Sequence, residues 1–347
     1  MTALKSEIEL YKRNPFISNN FDTIYIGGGT PSILSGEELL LILDKLHDTF
    51  SFSSDTEITL ELNPGTLTDK KLAWLFSVGI NRLSIGVQSF SDTELRILER
   101  GHTVREAEKS ISEARDAGFK EINIDLIYAL PDQNLSSWEK SLNKTLEFKP
   151  EHISAYNLTL EEGTPFYTRL SKGELNVHDQ ENEAAFFSMT HDFLCNHGYQ
   201  HYEVSNFAQS DAYISRHNYK YWMQLPYLAF GPSAHSYWSG KRWNNLNTLP
   251  EYISLLLDQK LPIENSERIS YPKKLFEHIF LRLRTYQGIN LSEFQKKFRK
   301  SFFTLFSDIT ETLINNKYAL IENNYFKLTH KGMLVCDEIV LYFVPDK

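Results

Sequence analysis

Five apolar segments, each followed by a turn and an amphipathic helical segment, alternate along the first half of the chain. The strand-like segments are residues 23–26, 57–62, 82–89, 121–130 and 152–159. A regular series of strand–helix units favours a parallel sheet that curls into a partial or complete barrel over a sandwich. The fold class that we predict is therefore α/β.

An amphipathic helix over residues 2–14 precedes the first strand, with Leu4, Ile8 and Tyr11 on one face. In a regular series a helix follows a strand, so this opening helix has no strand of its own. We expect that one leading strand and the loop after it are missing from this chain. The prediction is a TIM-like barrel that lacks its first strand.

The first strand ends in GGGTPS at residues 27–32, a turn with three successive glycines. Residues without a Cβ let a ligand lie directly against the backbone at the carboxyl end of a strand, where α/β folds bind ligands. The motif is neither G-x-G-x-x-G nor a P-loop with its lysine. On this turn alone, a ligand site and a tight turn that only avoids a steric clash are equal alternatives.

The length of 347 residues predicts more than one domain. We assign the barrel, an aromatic-rich connecting segment that packs on it and a small C-terminal domain to residues 1–210, 211–270 and 271–347. Twelve aromatic residues lie between positions 199 and 243 without a clean period, which indicates irregular cover over one end of the sheet. Helical stretches followed by a hairpin at Asn323-Asn324 are typical of a winged-helix-like domain.

The composition argues against several classes of function. The net charge of −9 disfavours a general nucleic-acid binder, and no apolar run approaches the roughly 18 to 20 residues that span a bilayer. The first residues carry acid where a secretory signal would carry base, so we expect a cytoplasmic protein with no membrane span and no nucleic-acid partner. Cys195 and Cys336 are too far apart for a local metal motif, and we interpret both as buried thiols.

Polar residues recur at or near the ends of the five strands. The group comprises Thr30, Glu61, Asn63, Gln88, Asp125, Asn157 and Thr159, and Arg100 lies in the helical region after the third strand. If the strands are parallel, these residues meet at one rim, where barrel enzymes place their sites. The carboxylates could accept from an ammonium or a ribose, and the guanidinium could pair with a ligand carboxylate. Each residue alone is typical of a surface or capping group, but the recurrence favours a site.

Five ordered blocks resemble the radical S-adenosylmethionine proteins related to oxygen-independent coproporphyrinogen III oxidase: GGGTPS, LELNPGT, NRLSIGVQSF, NIDLIYALPDQ and HISAYNLTLEEGTPFY. Four later blocks look closer to the branch described as heme chaperones: HYEVSNFA, RHNYKYW, YLAFGPSAHSY and RWNN. The resemblance runs from residue 24 to about residue 342. It implies a partial (β/α)6 barrel with a small C-terminal helical domain.

The resemblance also implies a site for S-adenosylmethionine. The glycine turn would lie along the methionine end of this cofactor through Gly28, Gly29 and Thr30. The polar groups of the cofactor would be contacted by the side chains of Glu61, Gln88, Arg100 and Asp125. Its adenine side would be contacted by the backbone of Thr159.

The chain departs from this family at the iron–sulfur site. Family members resemble one another first in a loop with cysteines spaced Cys-x3-Cys-x2-Cys, which hold three irons of a 4Fe-4S cluster. That loop is absent here, and two distant cysteines cannot replace it. We therefore expect a truncated chain or a natural short form that holds no cluster and does not cleave S-adenosylmethionine reductively.

The segment HNYKYW at residues 217–222 resembles an H-N-x-x-Y-W block that is tied to heme binding in the chaperone branch. The resemblance implies that His217 is an axial ligand of the heme iron, and that Tyr221 and Trp222 pack against the porphyrin. An aromatic lid whose histidine satisfies a buried polar group is the alternative interpretation.

The resemblance predicts a heme chaperone that binds heme and S-adenosylmethionine and delivers heme to a membrane hemoprotein such as a respiratory enzyme. The first alternative is the oxygen-independent decarboxylation of coproporphyrinogen III, which requires the iron–sulfur cluster. The second alternative is a cluster-free barrel that keeps only the S-adenosylmethionine pocket.

Overall fold

The computed structural model describes residues 1–12, 17 and 20–344 of the chain. The first half alternates strands with helices as predicted. Its elements are α1 (Thr2–Lys12), β1 (Asn20–Ile26), α2 (Gly36–Thr49), β2 (Ser51–Leu62), α3 (Asp69–Ser77), β3 (Arg82–Gln88), α4 (Asp92–Ile97), α5 (Val104–Asp116), β4 (Glu121–Tyr128), α6 (Leu135–Glu147) and β5 (His152–Asn157). The opening helix is confirmed as α1, and its last two predicted residues, 13 and 14, lie outside the described residues.

The five predicted strands pair in parallel, in the order β1-β2-β3-β4-β5. Two helices and a hairpin follow, namely α7 (Pro165–Ser171), α8 (Gln180–Asn196), β6 (Gln200–Glu203) and β7 (Asn206–Ala208). The strand β7 pairs antiparallel with β5 and with β6, which completes a curled half-barrel of seven strands. The predicted α/β partial barrel is therefore confirmed.

The two faces of the curled sheet differ in polarity. Leu60, Leu83 and Ile124 point outward and belong to a hydrophobic core shared with helices such as α2, α5 and α6. Side chains next to them along the strands, such as Ser84 and Asp125, face the inside of the half-barrel. Alternation along a parallel strand is unusual because both faces of such sheets are generally apolar. The concave face is therefore built to hold something polar.

The aromatic-rich part of the chain is more regular than the sequence analysis predicted. It contains α9 (Arg216–Trp222), β8 (His235–Trp238), β9 (Lys241–Asn245), α10 (Leu249–Leu257) and β10 (Ile263–Arg268), and the three strands form an antiparallel sheet. The prediction that this segment is irregular was wrong. Strands of four to six residues are too short for a period of two to stand out among so many aromatic side chains.

The C-terminal residues form a small domain with its own hydrophobic core, built from residues such as Leu275, Phe294 and Phe326. Its elements are α11 (Tyr271–Arg282), β11 (Ile289–Asn290), α12 (Leu291–Phe298), α13 (Phe302–Asn315), β12 (Ala319–Glu322), β13 (Tyr325–Leu328), α14 (His330–Met333) and α15 (Cys336–Leu341). The predicted hairpin is present, and both turn residues, Asn323 and Asn324, have positive φ angles of 49° and 68°. Within the described part of the chain, no helix is both long and apolar enough to cross a membrane.

Candidate functional site

A polar cavity of about 390 Å³ opens where the carboxyl ends of the parallel strands meet. Six of the residues predicted for the S-adenosylmethionine site line it together: Gly29, Thr30, Glu61, Gln88, Arg100 and Asp125. Gly28 is not among the lining residues, but its backbone N–H donates to Glu61 Oε2 at 3.1 Å. Thr159 is exposed two residues beyond β5 and does not line the cavity.

The glycine turn is shaped by its neighbours as well as by its own backbone. A Cβ on Gly27 would lie 2.6 Å from Tyr25 Cε1 and 2.7 Å from Glu61 Oε1, which leaves no room for a side chain. Gly28 and Gly29 have φ angles of +84° and +128°, which residues with a side chain rarely adopt. The Thr30 hydroxyl accepts from Asn63 Nδ2 at 3.0 Å and so ties the end of the turn to β2.

Asp125 stands at the floor of the cavity with both carboxylate oxygens hydrogen-bonded. The Ser84 hydroxyl donates to Oδ2 at 2.9 Å, and Asn123 Nδ2 donates to Oδ1 at 2.8 Å. Desolvation raises the pKa of Asp125, and these hydrogen bonds oppose the rise. Because each carboxylate oxygen has a second lone pair, the group can also accept from a ligand.

Gln88 enters the cavity from a strained backbone position. Its φ angle is +67°, and it lies at a break in the register between β3 and β4. A Cβ on Gly86 would come within 2.8 Å of Gln88 Nε2, so the glycine makes room for the amide. Strain of this kind persists where the surrounding structure fixes it and is frequent at ligand sites. Arg100 also lines the cavity; desolvation lowers the pKa of its guanidinium, and the charge of Asp125 partly offsets this.

The N-terminus of helix α9 is attached to the inside of the half-barrel by the Glu57 carboxylate. Glu57 on β2 accepts from the backbone N–H of Arg216 at 2.8 Å and from that of His217 at 2.9 Å. A carboxylate at a helix N-terminus satisfies free amides and interacts favourably with the helix dipole. Lys220 adds an ion pair with Asp22 at 2.6 Å. The helix is thus held beside the cavity, and its Asn218 lines the cavity wall.

The His217 ring contacts three side chains. Its Nδ1 lies 3.0 Å from Thr23 Oγ1, its Nε2 lies 2.9 Å from the Tyr221 hydroxyl, and its ring stacks on Tyr25 with a centroid distance of 5.0 Å. Burial is the main cause that lowers the pKa of His217 to about 4, and the charge of Lys220 adds to it. The imidazole is therefore neutral at physiological pH, which is the form that ligates metals.

The aromatic neighbours of His217 lie at the surface end of α9. Tyr221 is 39% exposed and meets the Tyr227 ring edge-on at 4.6 Å. Trp222, the last residue of the helix, is half-buried. The spacing of four residues places His217 and Tyr221 on one face, because i and i+4 side chains are neighbours on a helix.

The two cysteines do not fit an iron–sulfur cluster. Cys336 is buried in the C-terminal core, and burial raises the pKa of its thiol to about 12. Cys195 is half-buried, lies 3.8 Å from His191 Nδ1 and has a pKa raised by desolvation. Residues 1–12, 17 and 20–344 contain no group of three or more histidine, cysteine or acidic side chains placed to hold a metal ion. Neither thiol is activated as a thiolate ligand.

The sequence analysis missed several residues of the cavity wall, which are Tyr25, Ser84, Asn123, Ser154, Tyr156 and Asn218. Three of them form the hydrogen-bond network behind Asp125, in which Asn123 Nδ2 also donates to the hydroxyls of Ser84 and Ser154. A signal was available, because Ser84, Asn123 and Ser154 alternate with core residues along their strands. The predicted site residues, in contrast, were those at or near strand ends.

Comparison with known proteins identifies the family. The profile of the radical SAM superfamily matches residues 7–145, and that of the HemN C-terminal domain matches residues 269–335. Heme chaperone HemW of Bacillus subtilis is 36% identical over 325 residues, which cover 93% of this chain and 86% of the relative. Heme chaperone HemW of Lactococcus lactis is 35% identical over 93% of this chain and 85% of the relative.

Among solved structures, coproporphyrinogen III oxidase HemN from Escherichia coli superposes with a TM-score of 0.83. The match covers 99% of this chain and 82% of that one, and its identity of 22% supports a shared fold. The family prediction made from the sequence blocks is therefore confirmed. Since relatives above 30% identity are covered over most of their length, the chain belongs to the HemW-like family of radical S-adenosylmethionine proteins.

Proposed function

We propose that the protein is a heme chaperone that binds heme at α9 and S-adenosylmethionine in the polar cavity, and that delivers the heme to a membrane hemoprotein such as a respiratory enzyme. The observation that carries this proposal is the position of His217, whose two ring nitrogens contact Thr23 and Tyr221, on a helix whose Asn218 lines the cavity. The relatives named as heme chaperones support it.

The cavity offers groups for each end of S-adenosylmethionine. The carboxylates of Glu61 and Asp125 suit the ammonium and the ribose hydroxyls, and Arg100 suits the ligand carboxylate. The open backbone at Gly28 and Gly29, where a Cβ would meet nothing within 4 Å, suits close contact with the methionine end. With a 4Fe-4S cluster this cofactor supplies radical chemistry, but the thiols of this chain do not fit the cluster, so the proposal includes no radical step.

His217 suits an axial ligand of heme iron because its other nitrogen already has a partner. In the tautomer with the proton on Nδ1, the ring donates to Thr23 Oγ1, and Nε2 accepts from the Tyr221 hydroxyl. A hydrogen bond of this kind fixes the orientation of a ligating imidazole and increases its basicity. Binding of iron at Nε2 requires that Tyr221 gives up its hydrogen bond to the ring.

Titration with hemin tests the heme site. We expect the wild-type chain to shift the Soret band of hemin, and His217→Ala to weaken the affinity at least tenfold, which corresponds to about 1.4 kcal/mol. His197→Ala is the matched control, because His197 is exposed at the end of α8 and contacts the Phe193 carbonyl. Equal spectra and affinities for the wild type and His217→Ala would contradict the assignment.

A cluster-free barrel that binds only S-adenosylmethionine is the second candidate, and the polar cavity together with the two unsuitable cysteines favours it. Calorimetry separates the two candidates. Binding of both S-adenosylmethionine and hemin supports the chaperone, whereas heat with S-adenosylmethionine and no response to hemin supports the second candidate.

A further inference from the structure

Tyr25 contacts both of the proposed ligand sites. Its hydroxyl donates to Glu61 Oε1 at 2.8 Å, and its ring stacks on His217 with an interplanar angle of 23°. The second oxygen of Glu61 accepts from the backbone N–H of Gly28 in the glycine turn. A continuous set of contacts therefore runs from the turn, through Glu61 and Tyr25, to the imidazole.

Tyr25 is held at its hydroxyl by Glu61, and the glycine turn lies against one edge of its ring. The Gly27 backbone is so close that a Cβ there would come within 2.6 Å of Tyr25 Cε1. The Tyr25 hydroxyl is the donor in this bond, because the Glu61 carboxylate can only accept. The ring is consequently fixed against one face of His217.

The imidazole must adjust before it can ligate iron. Its Nε2 is engaged by Tyr221, its Nδ1 by Thr23 and one of its faces by Tyr25. Close-packed side chains resist such a displacement because every contact has to be broken or moved. Moving the His217 ring against Tyr25 therefore makes the free energy of iron binding less favourable. Loosening Tyr25 reduces this loss.

A ligand at Glu61 is able to loosen Tyr25. Both carboxylate oxygens are used by neutral donors, a phenol and a backbone amide. An ammonium forms a charge-assisted hydrogen bond with a carboxylate, which is about twice as strong as a bond between neutral groups. Glu61 should therefore turn toward the ligand ammonium and release the Tyr25 hydroxyl.

We infer that Tyr25 is a positioning residue that couples the two sites, so that S-adenosylmethionine bound at Glu61 strengthens the binding of heme at His217. The inference rests on the proposed function and adds its regulation. Linkage requires the converse as well: heme must strengthen the binding of S-adenosylmethionine by the same factor.

The test measures the hemin dissociation constant with and without saturating S-adenosylmethionine, in the wild type and in Tyr25→Phe. We expect S-adenosylmethionine to lower the wild-type constant by at least about fivefold, the lower end of typical coupling. Tyr25→Phe keeps the ring but lacks the bond to Glu61. It should bind hemin with the tighter constant in both conditions, so its ratio should be close to one.

Tyr271→Phe is the matched control, because it removes a tyrosine hydroxyl that donates to the Phe298 carbonyl within the C-terminal domain. It should keep the wild-type ratio. A wild-type ratio below two, or a Tyr25→Phe ratio equal to that of the wild type, would overturn the inference while leaving the proposed function intact. A wild type that binds neither ligand would overturn both.

Discussion

At the scale of single residues, the cavity combines side chains whose positions follow from strand alternation with one that does not. Glu61 and Asp125 could be predicted, because carboxyl ends of parallel strands share one rim. The positive φ angle of Gln88 could not be predicted, since it arises where the pairing of β3 with β4 shifts register. A register shift depends on two strands at once, and neither segment shows it alone.

The strain at Gln88 predicts an inverted order of stability between two truncations. Gln88→Gly and Gln88→Ala both remove the side chain, but only glycine adopts a φ angle of +67° without strain. We expect the glycine variant to be more stable than the alanine variant by about 1 kcal/mol in urea denaturation. Both variants should bind S-adenosylmethionine more weakly than the wild type.

The matched pair is Val87→Gly and Val87→Ala, at the preceding residue of β3, which is not among the residues with positive φ. Here the alanine variant should be the more stable one by roughly 0.5–1 kcal/mol, because glycine weakens an ordinary strand. If the alanine variant were more stable than the glycine variant at both positions, the backbone at Gln88 would carry no strain.

At the scale of elements, the start of a helix can be predicted from the sequence where a local capping hydrogen bond fixes it. A serine or threonine followed three residues later by glutamate predicts capping boxes at Ser35 and Thr103, and both are present. The same pattern at Ser136 and Glu139 predicts a start for α6 that is wrong, because Asn134 accepts from the Ser137 amide and caps the helix two residues earlier. Asparagine and serine are comparably good N-cap residues, so sequence alone does not choose between neighbouring candidates.

The glycine turn is the element in which packing restricts the sequence most. Gly27→Ala places a Cβ against Tyr25 and Glu61, and we expect a loss of about 1–3 kcal/mol in the free energy of unfolding, as in overpacked cores. S-adenosylmethionine affinity should fall with it, because Glu61 is displaced. Gly101→Ala is the control, since its Cβ would meet nothing within 4 Å and its φ angle is not positive.

Urea denaturation and calorimetry measure the two effects separately. If Gly27→Ala were as stable as Gly101→Ala, the side chains around the turn would have to be free to move, and the close contact between the turn, Tyr25 and Glu61 would not exist as described.

At the scale of the whole molecule, α1 joins parts of the chain that lie far apart in sequence. Glu7 is 0% exposed and accepts from the Gly231 amide at 2.9 Å, from Asn245 Nδ2 at 2.5 Å and from the Tyr252 hydroxyl at 2.5 Å.

A second residue of α1 also contacts a distant part of the chain: Tyr11 stacks on Trp243, whose Nε1–H donates to the Tyr11 hydroxyl. The order of the main elements could be predicted, but these contacts could not, because no local pattern links residues more than 200 positions apart.

Glu7→Gln tests this junction. The amide brings an N–H₂ group toward three donors, so we expect a loss of about 2 kcal/mol in the free energy of unfolding, typical of buried polar groups left unpaired. Burial raises the pKa of Glu7 above 4.5. The folded chain thus holds a proton that the unfolded chain releases, and the stabilisation by Glu7 decreases as the pH rises through the folded-state pKa.

The difference between the wild type and Glu7→Gln should therefore be larger at pH 5 than at pH 8, as measured by urea denaturation at both values. Glu311→Gln, at an exposed position of α13, should change the stability by less than about 0.5 kcal/mol at either pH. A difference that grows toward alkaline pH would contradict the direction assigned to the Glu7 pKa.

The exposure of Tyr221 bears on how a heme bound at His217 would be released. The hydrogen bond that iron would replace at His217 Nε2 comes from Tyr221, which is 39% exposed. Tyr221 lies near the C-terminal end of α9, and Glu57 holds the N-terminal end of this helix. A porphyrin seated there would keep an edge in the surrounding water. Unloading would then need no separation of strands, and a recipient protein could compete for the iron directly from outside.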